Sequence, residues 1–188
     1  MTDEDVKVLM ADTRSMMQKA IEHFEYELSK IRAGRATPAI LEGVMVDAYG
    51  ALSPLNQMAN ITIPDARTIS IQPWDKSLIA AIEKGILIAN IGLNPQSDGT
   101  LIRLNVPPLT EERRKELVKQ SKGEAENCRV SLRTIRRESN EKVKKMQKDG
   151  LPEDSAKKAE ADIQQLTNDF SARVDKHLEV KEKEIMTV

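Results

Sequence analysis

The sequence predicts an α+β protein: an elongated three-helix bundle with a small α/β domain of β-sandwich-like character inserted into it. Three observations predict this fold. Residues 32–108 hold six of the eight glycines and seven of the eight prolines. Charged side chains fill 12 of 75 positions in residues 32–106, against 47 of the other 113. The flanking segments carry a helical period, whereas the middle segment carries short strand-like runs.

Three long amphipathic helices are expected in the outer segments, because apolar residues recur there three and four positions apart. The second series runs from Leu117 to Met146 and the third from Ala156 to Ile185. Thr110 before two glutamates predicts a helix start, so the second helix is expected over residues 109–148. Gly150 followed by Pro152 predicts a helix stop and a new start. The first series consists of Val6, Leu9, Met16, Ala20, Phe24, Leu28 and Ile31.

The middle segment predicts strands at 44–49, 59–63, 68–72 and 100–106, with one short helix at 75–89. The expected domains are therefore a bundle of residues 1–31 and 107–188 and an inserted domain of residues 32–106. Two connections of this kind act as a hinge when few other contacts span them. The hinge residues expected at the two crossings are Ile31, Arg32, Ala33, Val106, Pro107 and Pro108.

Overall charge and cysteine usage exclude several classes of protein. Twenty-nine basic against thirty acidic side chains leave a net charge of −1, so any nucleic-acid surface must be local. The single cysteine, Cys128, excludes an internal disulfide and a cysteine zinc site, which favours a reducing, cytoplasmic location. The acidic N-terminus is unlike a targeting peptide, and no apolar run is long enough to span a bilayer. No membrane association is expected.

An enzyme is not expected from these residues. The sequence has no Gly-rich phosphate loop, and its two histidines, His23 and His177, are far apart and have no ligand-spaced neighbour. Cys128 lies in the apolar series of the second helix, which favours packing over reactivity. No catalytic residue, metal site or cofactor is predicted.

The most informative feature is a concentration of positive charge in the second long helix. Residues 129–148 hold eight basic side chains and two acidic ones, Glu138 and Glu141. At about 100° per residue, six basic residues share an arc of roughly 120° beside the apolar series, and the acids point elsewhere. Arginine forks suit phosphate, and the scarcity of aromatic residues favours folded RNA over single strands. The six residues are Arg129, Arg133, Arg136, Arg137, Lys144 and Lys148.

Three alternatives remain open from the residues alone. The basic face could be an ordinary solvated helix face with ion pairs. The long helices could belong to a coiled-coil scaffold or co-chaperone, although such a protein does not need a one-sided arginine face. A hydrolase that works through carboxylate pairs in the middle domain is the weakest reading, because only four aspartates lie at turns or strand ends. They are Asp47, Asp65, Asp75 and Asp98.

Five motifs closely resemble the bacterial ribosome recycling factor family, in family order and at family spacing. The resemblance extends from the first helix to the last. It implies an L-shaped protein that binds the large ribosomal subunit after termination. The motifs are 31–38 (IRAGRATP), 92–95 (GLNP), 107–115 (PPLTEERRK), 123–126 (GEAE) and 133–137 (RTIRR).

The resemblance also implies partners and site residues. With elongation factor G and GTP, a member of this family splits the post-termination ribosome, and we expect it to act as a monomer. Contacts to 23S-type ribosomal RNA carry over onto Arg32, Arg133 and Arg136, which are all present. Arg129, Arg137 and Lys144 join this set on the geometric argument from the helix face alone.

Overall fold

The computed structural model describes residues 2–187. The chain divides into two compact units. The helical unit contains the residues up to Arg32 together with Glu111–Thr187, and the small unit is Ala33–Thr110. The helices are α1 (Asp3–Lys30), α2 (Ile79–Ile88), α3 (Glu111–Lys148) and α4 (Glu153–Met186). The strands are β1 (Met45–Ala48), β2 (Ala51–Pro54), β3 (Ala59–Asp65), β4 (Thr68–Pro73), β5 (Pro95–Ser97) and β6 (Ile102–Asn105).

The helical unit is a bundle of α1, α3 and α4, and each helix packs against the other two. The turn between α3 and α4 is a Schellman motif, in which the Leu151 amide donates to the Met146 carbonyl at 2.9 Å. Gly150 supplies the left-handed conformation that this turn requires, with φ at +103°. Pro152 then precedes α4. The predicted stop and restart are confirmed.

The buried side of α1 differs from the predicted series at two positions. Met17 and Ile21 are fully buried, whereas Met16 and Ala20 of the predicted series are only half-buried, so here the buried side lies one residue further along the chain. The cause is Thr13, a polar residue in the middle of the buried side. Because Thr13 interrupts the apolar series, the spacing of apolar residues alone places the core one residue too early.

Hydroxyl groups enter the bundle core in all three helices. Thr13, Ser121 and Thr167 are buried, and each donates to the carbonyl four residues earlier, at 2.8–2.9 Å. These bonds satisfy the hydroxyls within their own helix, which offsets the free-energy cost of removing them from water.

The small unit contains two antiparallel sheets and α2. One sheet is the hairpin of β1 and β2, and the other has the order β3-β4-β6-β5. Side chains from both sheets and from α2 form one apolar core. The helix α2 approaches β1 closely at Gly85, where a Cβ would lie 2.7 Å from the Met45 carbonyl oxygen. The predicted α+β fold, a three-helix bundle with an inserted α/β domain, is therefore confirmed.

Four of the six strands of the small unit were predicted from the sequence. The four predicted strands correspond to β1, β3, β4 and β6, and the predicted helix begins with a 3-10 turn at Lys76–Leu78 before α2. The strands β2 and β5 were not predicted. Both are short edge strands that contain proline, Pro54 and Pro95, and neither contains a β-branched residue.

The second connection leaves the small unit only after Thr110. The Val106 amide donates to the Arg67 carbonyl at 2.7 Å, and the Val106 side chain belongs to the core of the small unit. The Leu109 side chain then lies directly over Gly34. These contacts hold residues 107–110 with the small unit, so the change of unit falls between Thr110 and Glu111.

Candidate nucleic-acid interface

Five of the six predicted RNA-binding residues lie along one side of α3. We call this surface the basic ridge. It is positioned by the buried side of the same helix, where Cys128, Leu132 and Val143 are buried against the bundle. The residue directly after each anchor is turned about 100° from it and reaches the edge of the bundle, as Arg129, Arg133 and Lys144 do. The basic ridge consists of Arg129, Arg133, Arg136, Arg137 and Lys144.

Arg129 is one of the two half-buried members of the basic ridge. Its Nη2 lies 2.6 Å from Oδ1 of Asp175 on α4, and its side chain is only 31% exposed. The hydrogen bond to Asp175 raises the pKa of this guanidinium above its ordinary value. Arg129 therefore joins α3 to α4 as well as adding charge to the surface.

Arg133 is half-exposed and pairs with a carboxylate on its own helix. Its Nη2 donates to Oε1 of Glu126 at 2.7 Å, and the other carboxylate oxygen lies 3.4 Å from Nη1 of Arg129. The hydrogen bond from Arg133 lowers the pKa of the Glu126 carboxyl below its ordinary value. Glu138 and Glu141, the acids expected to point elsewhere, make no ion pair within residues 2–187, but a third acid, Glu126, does lie on this face. Glu126 lies outside the window 129–148 in which the charges were counted.

The other end of the basic ridge keeps its charge uncompensated. Arg136 donates from Nη1 to Oε1 of Gln164 on α4 at 3.3 Å, which orients the guanidinium without neutralising it. Arg137 and Lys144 are exposed, and within residues 2–187 neither makes a hydrogen bond or an ion pair. A shallow depression of about 270 Å³ lies among these arginines and is lined by Val130, Arg133, Thr134, Arg136 and Arg137.

The sixth predicted residue, Arg32, does not lie on α3. It is exposed and follows the end of α1, just after Ile31, whose amide caps the helix by donating to the Leu28 carbonyl. Of the residues predicted for the hinge, Ile31, Ala33 and Val106 are buried, and Pro107 and Pro108 are exposed.

The remaining reactive side chains of the helical unit have structural partners. Cys128 is buried, its Sγ donates to the Ala20 carbonyl at 3.6 Å, and burial raises the pKa of its thiol to about 11. Its predicted packing role is confirmed. His177 lies 2.9 Å from Glu25 and against the Phe24 ring, whereas His23 is exposed. Both histidines lie at the surface or its boundary, as expected.

The four aspartates of the hydrolase hypothesis each hold a turn. Asp47 accepts from the Gly50 amide and Asp65 from the Arg67 amide, at 2.9–3.1 Å. Asp75 accepts hydrogen bonds from the amide and the hydroxyl of Ser77, and Asp98 accepts hydrogen bonds from the amide and the hydroxyl of Thr100. Within residues 2–187, no three side chains of histidine, cysteine, aspartate or glutamate are grouped in a way that could hold a metal ion.

Three residues that contact the basic ridge were missed by the sequence reasoning: Glu126, Gln164 and Asp175. A signal existed for Glu126, because seven residues are almost two helical turns and place it on the same face as Arg133. Gln164 and Asp175 come from α4. Only the packing of the two helices reveals which residues of α4 reach the basic ridge.

Comparison with known proteins agrees with the motifs. A family model described as Ribosome recycling factor matches residues 24–186. The chain belongs to this family. The ribosome-recycling factor of Cytophaga hutchinsonii is 52% identical over 185 residues, which cover 98% of this chain and 100% of that protein. The ribosome-recycling factor of Syntrophomonas wolfei is 52% identical over 184 residues, covering 97% and 100%. The resemblance found in the sequence is confirmed.

Solved structures of the family match over nearly the whole chain. A solution structure of the ribosome recycling factor is 38% identical, with a TM-score of 0.77 and 98% of each chain covered. A second match, 49% identical with a TM-score of 0.63, covers 99% of this chain and 100% of the other. It belongs to models of the T. thermophilus ribosome recycling factor and E. coli elongation factor G bound to the E. coli post-termination complex. Among the described residues, no helix is both long and apolar enough to cross a bilayer.

Proposed function

We propose that this protein binds the large subunit of the post-termination ribosome and, with elongation factor G and GTP, splits the ribosome so that its parts can be reused. It acts in the cytoplasm as a monomeric binding factor and not as an enzyme. The free energy for a directional step then comes from the partner that hydrolyses GTP, and this chain supplies the surface on which that partner works.

The observation that carries the proposal is the uncompensated end of the basic ridge. Arg136, Arg137 and Lys144 present three positive charges on one side of a long helix. A phosphate backbone is a linear array of negative charges, so a row of cations along a helix can contact several phosphates at once. Arginine adds paired N–H donors that fit phosphate oxygens.

The proposed RNA contacts are Arg32, Arg129, Arg133, Arg136, Arg137 and Lys144. Those on α3 differ in whether a carboxylate must be displaced before they can bind phosphate. Arg136, Arg137 and Lys144 can meet phosphate as they stand, whereas Arg129 and Arg133 must first leave or share a carboxylate. Of these residues, we expect Arg129 to contribute least to RNA binding, because its ion pair to Asp175 also joins two helices. Folded RNA is the favoured target, because the basic ridge carries no aromatic side chain on which single-stranded bases could stack.

The proposal also assigns a mechanical role to the two chain connections. Ile31, Arg32 and Ala33 form one, and Val106, Pro107 and Pro108 begin the other. The prolines lack backbone donors and have fixed φ angles, which stiffens this connection, so we expect its bending at the change of unit between Thr110 and Glu111. Spin labels at Trp74 and Val180, which are 71% and 60% exposed, should report a broad distance distribution in the free protein. A single narrow distance would contradict the hinge.

Sedimentation of the pure protein with isolated large ribosomal subunits tests the proposed function. We expect co-sedimentation that weakens as salt is added, because each phosphate contact releases roughly 0.7–0.9 of a condensed cation. In a second assay, addition of elongation factor G and GTP to post-termination ribosomes should release subunits only when this protein is present. Binding that is insensitive to salt would remove RNA from the proposal and favour a protein-binding scaffold.

A further inference from the structure

The basic ridge changes character along α3. At its start, Glu126 and Asp175 neutralise Arg129 and Arg133. Further along, Arg136 meets only the neutral amide of Gln164, and Arg137 and Lys144 make no ion pair within residues 2–187. The ridge therefore offers RNA an open end that is ready to bind and a closed end that is occupied by carboxylates.

Glu126 occupies the closed end in the manner of a phosphate. Its two oxygens receive one N–H each from Arg133, at 2.7 Å, and from Arg129, at 3.4 Å. Two anionic oxygens in one plane are what a guanidinium also finds in a phosphate group. Any phosphate that binds Arg133 in this position must replace the carboxylate or share the arginine with it.

We propose that Glu126 is a specificity-determining positioning residue: it holds Arg133 in the free protein and yields it only to RNA whose phosphates fit the closed end. This inference rests on the proposed function, in which the basic ridge binds ribosomal RNA. An unrelated RNA meets only the open end and gains nothing from Arg133. An RNA of matching shape gains a further contact, and the exchange of partners makes that contact selective.

The strength of the ion pair suits this role. Arg133 and Glu126 have side chains 53% and 54% exposed, so water screens their attraction. Exposed pairs of this kind change an equilibrium by roughly two- to fivefold. A pair of that strength suppresses weak encounters and still allows a well-placed phosphate to displace the carboxylate.

The test compares Glu126→Gln with the control Glu138→Gln. Both substitutions remove one negative charge from the exposed surface of α3, but Glu138 makes no hydrogen bond or ion pair among residues 2–187. Each variant is measured for affinity to isolated large ribosomal subunits and to an unrelated RNA duplex, over a series of salt concentrations. Thermal unfolding of each variant identifies effects that act through the fold.

Glu126→Gln should tighten binding to the unrelated duplex by roughly two- to fivefold and tighten subunit binding less, so the ratio of the two affinities falls. Its salt dependence on the duplex should steepen by about one released cation. Glu138→Gln should leave the ratio unchanged. The proposal is overturned if the two variants behave alike, or if Glu126→Gln weakens both affinities. If the unmodified protein prefers neither RNA, the proposed function fails. The effect of Glu126→Gln on affinity for the unrelated duplex then still shows whether Glu126 restrains Arg133.

Discussion

Thr13 and Ser139 share a hydrogen bond of 2.8 Å between α1 and α3, and both side chains are fully buried. The Thr13 hydroxyl also donates to the Leu9 carbonyl at 2.8 Å. A hydroxyl has one hydrogen, so Ser139 must be the donor in the bond between the helices. The pair joins α1 to α3 inside the core of the bundle.

The first prediction concerns this pair. Ser139→Ala removes the hydroxyl that donates to Thr13 and should lower the free energy of unfolding by about 1 kcal/mol, the usual net value of such a bond. Denaturant unfolding measures the change. Ser131→Ala on the exposed side of α3 is the matched control and should change stability by less than about 0.5 kcal/mol. Equal effects in the two variants would show that the buried bond contributes nothing specific.

The second prediction concerns the basic ridge. Arg133→Ala and Arg136→Ala should each weaken binding to large ribosomal subunits by about 1–3 kcal/mol, because each loses a charge-assisted contact to phosphate. Both side chains lie outside the buried core, so thermal unfolding should be little changed. Arg133→Lys should recover part of the affinity, since lysine keeps the charge but loses the planar fork.

Two controls separate binding from folding in that experiment. Glu138→Ala, on another face of α3, should leave subunit affinity unchanged. Leu132→Ala should act in the opposite sense, lowering stability by about 2–5 kcal/mol through a cavity in the bundle core. If Arg133→Ala binds as tightly as the unmodified protein, or loses binding only because it unfolds, the basic ridge is not the RNA-binding surface.

The third prediction concerns the contact between α2 and β1. Gly85→Ala should lower the free energy of unfolding by about 1–3 kcal/mol, because the new methyl group would lie 2.7 Å from the Met45 carbonyl oxygen and 3.2 Å from Val46 Cγ2. Gly123→Ala in α3 is the matched control. Apart from its chain neighbours and the backbone of its own helix, no atom of residues 2–187 lies within 4 Å of its added Cβ, and the change should stabilise the helix by up to about 1 kcal/mol. Stabilisation in both variants would refute the close approach of α2.

The fourth prediction concerns Asp98, which holds the turn between β5 and β6. Hydrogen bonds from the amides of Leu101 and Thr100 and from the Thr100 hydroxyl lower the pKa of its carboxyl from 3.8 to about 2. Because the folded-state pKa lies below the unfolded one, the turn contributes its full stability above about pH 4. This contribution is lost as the pH falls toward 2. An NMR titration of the Asp98 carboxyl carbon measures the midpoint, and a value near 3.8 would contradict the turn geometry.

The long helices were predictable because their periodicity extends over 28, 38 and 34 residues, so a few polar core residues do not obscure it. The exact core of α1 was not, since Thr13 conceals the register by which Met17 and Ile21 are buried. The strands β2 and β5 were missed because three or four residues that contain a proline carry too little pattern. Their pairing depends on neighbouring strands that a local reading of the sequence does not place.

The basic ridge was predicted as a set of residues but not as an electrostatic surface. Local counting found the arginines of α3, since residues on one helix have a known angular spacing. It could not find Asp175 and Gln164, which reach the ridge from α4 through the packing of two helices. The division into an open end and a closed end follows from those contacts and from Glu126.

The insertion of the small unit between α1 and α3 sets the order in which the parts of this protein are completed during its own synthesis. All residues of the small unit have been made by Thr110, whereas α1 finds its partners only when α3 and α4 follow. At roughly 5–20 residues per second, the apolar side of α1, with Met17, Ile21 and Phe24, stays uncovered for on the order of ten seconds. A nascent chain that stalls before α3 therefore carries a complete small unit and an α1 whose apolar side has no partner helix.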